Sequence, residues 1–396
     1  MSSRRSFLHT TAAIGGALGL SGFSKSLLGQ VDPFLLTPPV TKAPASLSIL
    51  ILGGTGFTGP EQVEYAIARG HKVTLFNRNK TRPGYFKGKV AEELVGDLNN
   101  DTSALQGRTF DVVLDNPTTF PGWVRNAAKQ LSGNVKHYIF QSTTSVYSDQ
   151  SIIGLDENSP VAALPAEIDP YTLDPAHASK YYGALKVKAE QEVAKQYPGI
   201  WTVVRPCLIV GPLDRTDRFT YWPARIDQGG EILAPDKPDD PCQFIDVRDL
   251  AEFSVRLAEA RVLGTFNVIG PEKPMTIAEM LYGVKSITAT PGRLTWVPWE
   301  FLQEQGVRPW RHMTVWQPPY GATAGYQRRN AAKAIAAGLT FRSMADTAKT
   351  TLDWHRTRPQ ADQDATLRGE VGGLDMKREA EVLAAWHAKV KSTGNG

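Results

Sequence analysis

Cysteine is nearly missing from this chain: Cys207 and Cys242 are the two thiols in 396 residues. That scarcity excludes a disulfide-built scaffold and any zinc-ribbon or zinc-finger spacing. The seven histidines, at positions 9, 71, 137, 177, 312, 355 and 387, form no paired ligand motif either, so no metal is expected. A Cys207–Cys242 bridge and two buried free thiols both stay open. Repeats, low-complexity tracts and blocks of like charge are lacking as well. The 35 glycines and 27 prolines are scattered, which excludes collagen-like order. No early apolar run is long enough to span a bilayer. Residues 7–23 are interrupted by Thr10, Thr11, Gly15, Gly16, Gly19 and Gly22, short of the roughly 20 apolar residues a spanning helix needs. Net charge is small, at +4. Arg4, Arg5 and Lys25 supply most of it, and the chain beyond residue 30 holds 41 basic against 40 acidic residues. Nucleic acid is therefore not an expected partner, because non-specific affinity for it rests on clustered positive charge.

What is present begins with SRRSFL and a short, weakly apolar stretch. A positive start ahead of such a stretch fits a secretory signal. The Arg pair followed by Phe7 and Leu8 resembles the bacterial twin-arginine signal. Residues 1–30 are thus expected to be an export leader that engages the twin-arginine machinery. The chain would be periplasmic or extracellular, with the leader either cut or kept as a membrane tether. Residues 31–46 hold four prolines and predict a linker.

Ser46–Leu52 is a nearly continuous apolar run, which suits a strand buried on both faces of a parallel sheet. It leads into GGTGFTG, then PEQVEYAIARG, an amphipathic helix opened by Pro60 and stopped by Gly70, then the strand HKVTLFNR. Strand, glycine turn, helix and strand form the unit that cradles a dinucleotide. Gly53 makes the turn, Gly56 lets backbone approach a pyrophosphate, and Gly59 lets helix and strand pack closely. The helix N-terminus then offers free N–H groups to phosphate. Further strands are predicted at FDVVLD, KHYIFQST and IWTVVRP. The fold class is α/β, a Rossmann-type doubly wound parallel sheet. The second strand ends in Asn77 and Arg78, without the acid that would bind an NAD ribose. This tilts the cofactor, NAD(P), toward NADP.

In YGALK, Tyr182 and Lys186 stand four apart and share a helix face. A cation beside a phenol favours its ionised form, so Tyr182 can exchange a proton while a hydride moves. FQSTTSVY puts Ser142, Thr143, Thr144 and Ser145 at the carboxyl end of a strand, where open α/β sheets bind ligands.

GGTGFTG, GDL at 96–98, FQSTTSVY, YGALK, RPCLIVGP and QFIDVRDLA together resemble the extended short-chain dehydrogenase/reductases of the NAD-dependent epimerase/dehydratase type, over roughly residues 47–290. The resemblance implies Tyr182 as acid/base, Lys186 on the nicotinamide ribose, and Thr143 bonded to the substrate oxygen. It also implies cofactor contacts at Phe57, Asp97, Leu98 and Pro206, and a homodimer through the Tyr182 helix. Cys242 stands where nucleotide-sugar epimerases of this type carry an arginine for the substrate diphosphate, which speaks against a nucleotide sugar unless Arg215, Arg218 or Arg225 takes that role. Ser145, Arg215, Arg218, Tyr221 and Trp222 are the candidate substrate contacts.

The expected organisation is a dinucleotide domain at 47–212, a smaller substrate domain at 213–345 with 243–258 returning to the first core, and C-terminal helices at 346–396. Twin-arginine export carries folded proteins, so a cofactor can travel inside. The expected function is therefore transient oxidation and re-reduction of a sugar or polyol with a retained cofactor. A net NADP-dependent reductase is the first alternative. The glycine loop and HKVTLFNR are also similar to a branch that includes chloroplast stem-loop RNA-binding proteins, so a non-catalytic sensor or RNA binder is the second.

Overall fold

A computed structural model describes residues 40–393. The leader and most of the proline-rich linker lie outside the described residues.

In chain order the strands are β1 (Ser48–Leu52), β2 (Lys72–Asn77), β3 (Glu92–Val95), β4 (Phe110–Asp115), β5 (Val135–Gln141), β6 (Trp201–Pro206), β7 (Ile209–Val210), β8 (Gly230–Pro235), β9 (Pro241–Asp246), β10 (Gly264–Val268), β11 (Gly270–Thr276) and β12 (Gly292–Val297). The helices are α1 (Gly59–Arg69), α2 (Pro121–Leu131), α3 (Tyr182–Gln196), α4 (Tyr221–Asp227), α5 (Val247–Ala260), α6 (Ile277–Lys285), α7 (Trp299–Glu304), α8 (Ala332–Ala336), α9 (Met344–Arg356), α10 (Gln360–Leu367) and α11 (Met376–Thr393).

Seven parallel strands make the main sheet in the order β10-β6-β5-β4-β1-β2-β3. Side chains of one strand alternate between its faces. Accordingly Ile49 and Ile51 join the core under α1 and α5, while Leu50 and Leu52 join the core under α2 and α3. Both faces are dry, which is why β1 is an unbroken apolar run. Each such side chain contributes about 1.5–3 kcal/mol by burial. Helix α1 has Pro60 as its second residue, carries Glu61 in its first turn and is capped by Gly70 with φ of 94°, a left-handed stop that suits glycine. The chain goes outward from β1 to β3, then crosses back to β4 on the other side of β1. That reversal opens a crevice at the carboxyl ends of β1 and β4.

Residues 208–383 build a separate core, with β8 paired to β12 and β9 between β7 and β11. Helices α4, α6 and α9 pack together there, and α10 and α11 close it. Helix α5 returns to the main sheet through Leu250, Phe253 and Leu257.

Two expected substrate contacts fall in this second core. Trp222 is fully buried and its indole N–H donates to the Thr314 carbonyl at 2.8 Å. Tyr221 is equally buried, and Gly373 lies so close that a Cβ there would be 2.1 Å from the ring. Both are packing residues, because α4 turns its aromatic face inward. Arg225 is likewise interior, bound to Glu379 at 2.5 Å and to two carbonyls, so it is not free to hold a diphosphate. Cys242 is buried against the Met280 sulfur at 3.6 Å. Both cysteines are free thiols.

Candidate active site

The glycine turn after β1 is held by backbone. The Gly53 N–H donates to Phe76 O at 3.0 Å, and the Gly56 N–H to Gly53 O at 3.1 Å. Gly53 has φ of +76°, and a Cβ on Gly59 would be 2.5 Å from the Gly54 carbonyl carbon. No side chain fits at Gly59, so the first turn of α1 lies directly on the loop. A cavity of about 380 Å³ opens beside it, within the size range of cofactor sites. Gly53, Gly56, Phe57, Asn77, Arg78, Asp97 and Leu98 all line it. The Asp97 carboxylate accepts from the Asn99 N–H at 2.9 Å, which fixes the turn after β3. Pro206 is buried at the end of β6.

Sequence reasoning missed several of the walls. Asn116 and Pro117 follow β4 at the switch point, and Gln141 ends β5. Arg82 reaches across to the Gly56 carbonyl at 2.5 Å. Asn77 Oδ1, Arg82 Nη1, Asn116 Oδ1 and Gln141 Oε1 are buried without a hydrogen-bond partner. Orphaned polar atoms are costly, and three of these residues, Asn77, Asn116 and Gln141, line the cavity beside the glycine cradle, which fits a dinucleotide. The signal for Asn116 was available, since a polar residue directly after FDVVLD stands at the strand end that binds ligand.

The candidate catalytic residues stand just after β5 and on α3. Thr143 leaves β5 in extended backbone, and its hydroxyl accepts from the Ser145 N–H at 3.1 Å. Ser145 is exposed next to it and meets the Thr143 hydroxyl at 3.2 Å. A Cβ on Gly183 would lie 2.1 Å from Ser145 O, so only glycine lets α3 start against this turn. That contact brings Tyr182 to Thr143. The Tyr182 ring is exposed on one side, with 39% of the residue open. Burial of its hydroxyl raises its pKa, opposed by the Thr143 hydrogen bond and then by the Arg218 charge.

Lys186 is buried, and its ammonium donates to Thr118 O at 2.6 Å and Gln141 O at 2.7 Å. Burial pulls its pKa down to about 8, while Asp115 and Glu190 act to raise it. The sequence assigned the tuning of the phenol to Lys186. In the structure Arg218 is the cation that acts on Tyr182, because Lys186 is turned onto backbone carbonyls. Glu190 is itself fixed by Arg205 at 2.7 Å and by the Ser142 hydroxyl. Asp115 is fully buried, accepts from the Tyr138 hydroxyl at 2.7 Å, and has its pKa raised by burial.

Of the candidate substrate arginines, Arg218 is brought to Tyr182, and Arg215 is exposed on the side of Arg82. Tyr326, Trp310 and Arg329 join Arg218 in the same region. They sit on aperiodic loops, where no sequence pattern announces a site.

The model of the NAD dependent epimerase/dehydratase family matches residues 123–270. The chain is 27% identical over 268 residues to the chloroplast stem-loop binding protein of 41 kDa b of Arabidopsis thaliana, covering 62% of this chain and 61% of that protein. The chain thus spans less than two thirds of that relative's length. Among solved structures, UDP-N-acetylglucosamine 4-epimerase from Bacillus cereus superposes with a TM-score of 0.55 at 17% identity, over 79% of this chain and 98% of that one. UDP-glucuronic acid 4-epimerase from Bacillus cereus, solved in complex with NAD, gives a TM-score of 0.53 at 15% identity, over 78% and 96%. The fold is that of these Rossmann enzymes. The family model adds support for an NAD-dependent enzyme of the epimerase/dehydratase type.

Proposed function

We propose that this chain is an exported enzyme that oxidises a sugar or polyol transiently and returns the hydride within one turnover, using a cofactor it does not release. The observation that carries the reading is the Tyr182 phenol against Thr143, a short way from a cavity walled by a glycine cradle and orphaned polar atoms. When bound, a nicotinamide dinucleotide supplies the hydride acceptor and donor. The chain supplies the rest. Gly53, Gly56 and the N-terminus of α1 would hold the pyrophosphate, and Asp97 and Leu98 would meet the adenine end. Thr143 orients the substrate hydroxyl. Tyr182 would take the proton from that hydroxyl as the phenolate, the form that the Thr143 hydrogen bond and the Arg218 charge favour against burial, and would give it back in the reverse step. Lys186, fixed by the Thr118 and Gln141 carbonyls, would offer its remaining N–H to the ribose.

NADP is the cofactor we assign. Strand β2 ends without an acid, and Arg78, Lys80 and Arg82 gather there, where a 2′-phosphate would lie. Retention suits export in the folded state, because a released cofactor would not be recycled outside the cytoplasm. The test is mass spectrometry of small molecules released from purified protein, expected to give one nicotinamide dinucleotide per chain. Clearly less than that overturns retention. Absorbance at 340 nm is expected to stay level during turnover, and a net change would favour the reductase reading.

A further inference from the structure

Two cations on the loops of the second half form no ion pair. Neither Arg218 nor Arg329 forms an ion pair with a carboxylate among the described residues. Arg329 is only 6% exposed. Its Nη2 donates to Gln150 Oε1 at 2.6 Å, while its Nε has no partner. The guanidinium lies over the Tyr326 ring at 4.3 Å. Tyr326 meets Trp310 edge-on at 5.1 Å, and Arg218 lies over Trp310 at 5.4 Å. The two arginines thus flank one Trp–Tyr pair, and Arg218 also acts on the hydroxyls of Tyr182 and Tyr326.

Burying a cation is expensive without a counter-charge. The titratable groups that face Arg329 are Tyr326, Cys207 and Tyr147. Burial raises both phenols and pushes the Cys207 thiol up to about 12, so all three are neutral at physiological pH. None of these groups neutralises Arg329, and Arg218 faces one buried carboxylate, Asp214, without forming an ion pair with it. This charge does not belong to the pyrophosphate cradle, since Tyr326, Trp310 and Arg329 are not among the residues lining that cavity.

We propose that Arg218 and Arg329 bind an oxyanion on the substrate, so that the molecule presented to Tyr182 is an acidic sugar. Planar guanidinium forks match carboxylate and phosphate oxygens. The Trp310 and Tyr326 rings between them offer an apolar face to the sugar ring. The inference rests on the proposed reaction at Tyr182 and adds the substrate's charge to it.

The test uses the full cofactor-loaded chain. Glucuronate and galacturonate are titrated against glucose and galactose, and glucose 6-phosphate against glucose, by calorimetry and by tryptophan fluorescence, to which Trp310 contributes. At least one anion is expected to bind about tenfold or more tighter than its neutral parent, the scale of a charge-assisted hydrogen bond. Preference for the uronates assigns a carboxylate, and preference for the phosphate alone assigns a phosphoryl group. Arg329→Gln is expected to abolish the preference and Arg329→Lys to restore part of it, both with cofactor content unchanged. No anion preference in the parent chain, or a preference that survives Arg329→Gln, overturns the proposal. Failure of the Tyr182 reading appears elsewhere, as full turnover in Tyr182→Phe, and leaves this binding ratio untouched.

Discussion

The half proposed to hold the cofactor and the half proposed to meet the substrate are built by different rules. In the first, each site residue follows the end of a parallel strand, and the sheet brings those ends to one edge. Gly53 follows β1, Asn77 ends β2, Asn116 follows β4 and Thr143 follows β5. In the second, the core draws on residues from 208 to 383, and Arg218, Trp310, Tyr326 and Arg329 all stand on loops. The first half is a cradle for a fixed molecule. The second presents side chains from loops, where a substitution disturbs no strand. Fold similarity at 15–17% identity therefore shows the fold and not the chemistry of those loops.

The largest effects should separate these halves. Tyr182→Phe removes a hydroxyl and leaves the ring, so cofactor content should be unchanged while turnover falls about 10²–10⁴-fold, the range for a lost general acid/base. Steady-state kinetics beside cofactor analysis checks this, and a drop of less than threefold would remove Tyr182 from the mechanism. Trp222→Ala should act in the opposite way. It empties a fully buried site in the second core and strands the Thr314 carbonyl, so stability should fall by about 3–5 kcal/mol. Denaturant unfolding of the cofactor-free protein reads that loss. Near-native stability with weakened substrate binding would return Trp222 to the substrate site.

The same contrast explains what the sequence could tell. The runs SILIL and FDVVLD are dry on both faces, so strand bounds near them were legible, and FDVVLD matches β4 residue for residue. The glycine spacing, the Tyr182–Lys186 pair and Thr143 were legible because each is a contiguous motif at a predictable strand or helix end. Tyr221 and Trp222 were misread because nearness to a strand-end motif says where a chain passes, not which side of a short helix faces inward. Gly183 was passed over because its importance is a close approach to Ser145 O, a partner 38 positions away. Arg329 had no signal at all: its meaning comes from the carboxylates that are missing around it in space.

Acid should expose the first half more than the second. His137 on β5 is 1% exposed, and its Nε2 lies 2.8 Å from the Thr202 hydroxyl. That hydroxyl donates to Val262 O, so it accepts from the ring, which is neutral with Nε2 protonated. Burial, then the Arg261 charge, lower its pKa to about 4. An unfolded histidine titrates near 6.5. Between those values the unfolded chain takes up a proton that the native chain refuses. Stability is therefore full above about pH 6.5 and falls as pH drops toward 4, by about 3 kcal/mol at this one site. His355 in the second half has the same sign, but Asp217 and Asp227 oppose the shift. Unfolding at pH 7 and pH 4.5 measures the slope, and His137→Gln should flatten it. An unchanged slope would show that His137 is not the group responsible.

The smallest expected effect tests whether the basic rim of the cofactor half reads the ribose. Arg78 is exposed at the end of β2, whereas Arg82 is partly buried and clamps the Gly56 carbonyl. Their removal should differ in kind. Arg78→Ala takes away a charge that only a 2′-phosphate would use, so the ratio of NADP to NAD affinity should fall about tenfold, the lower end for a charge-assisted bond at an exposed site. Arg82→Ala loosens the glycine turn that both dinucleotides need, so both affinities should drop together with a smaller change in their ratio. Fluorescence titration of apoprotein with NADPH and NADH separates the two. If Arg78→Ala leaves the ratio unchanged, the missing acid at Asn77 no longer argues for NADP. The cradle would then read only the pyrophosphate, which glycine turns of this geometry hold in either cofactor.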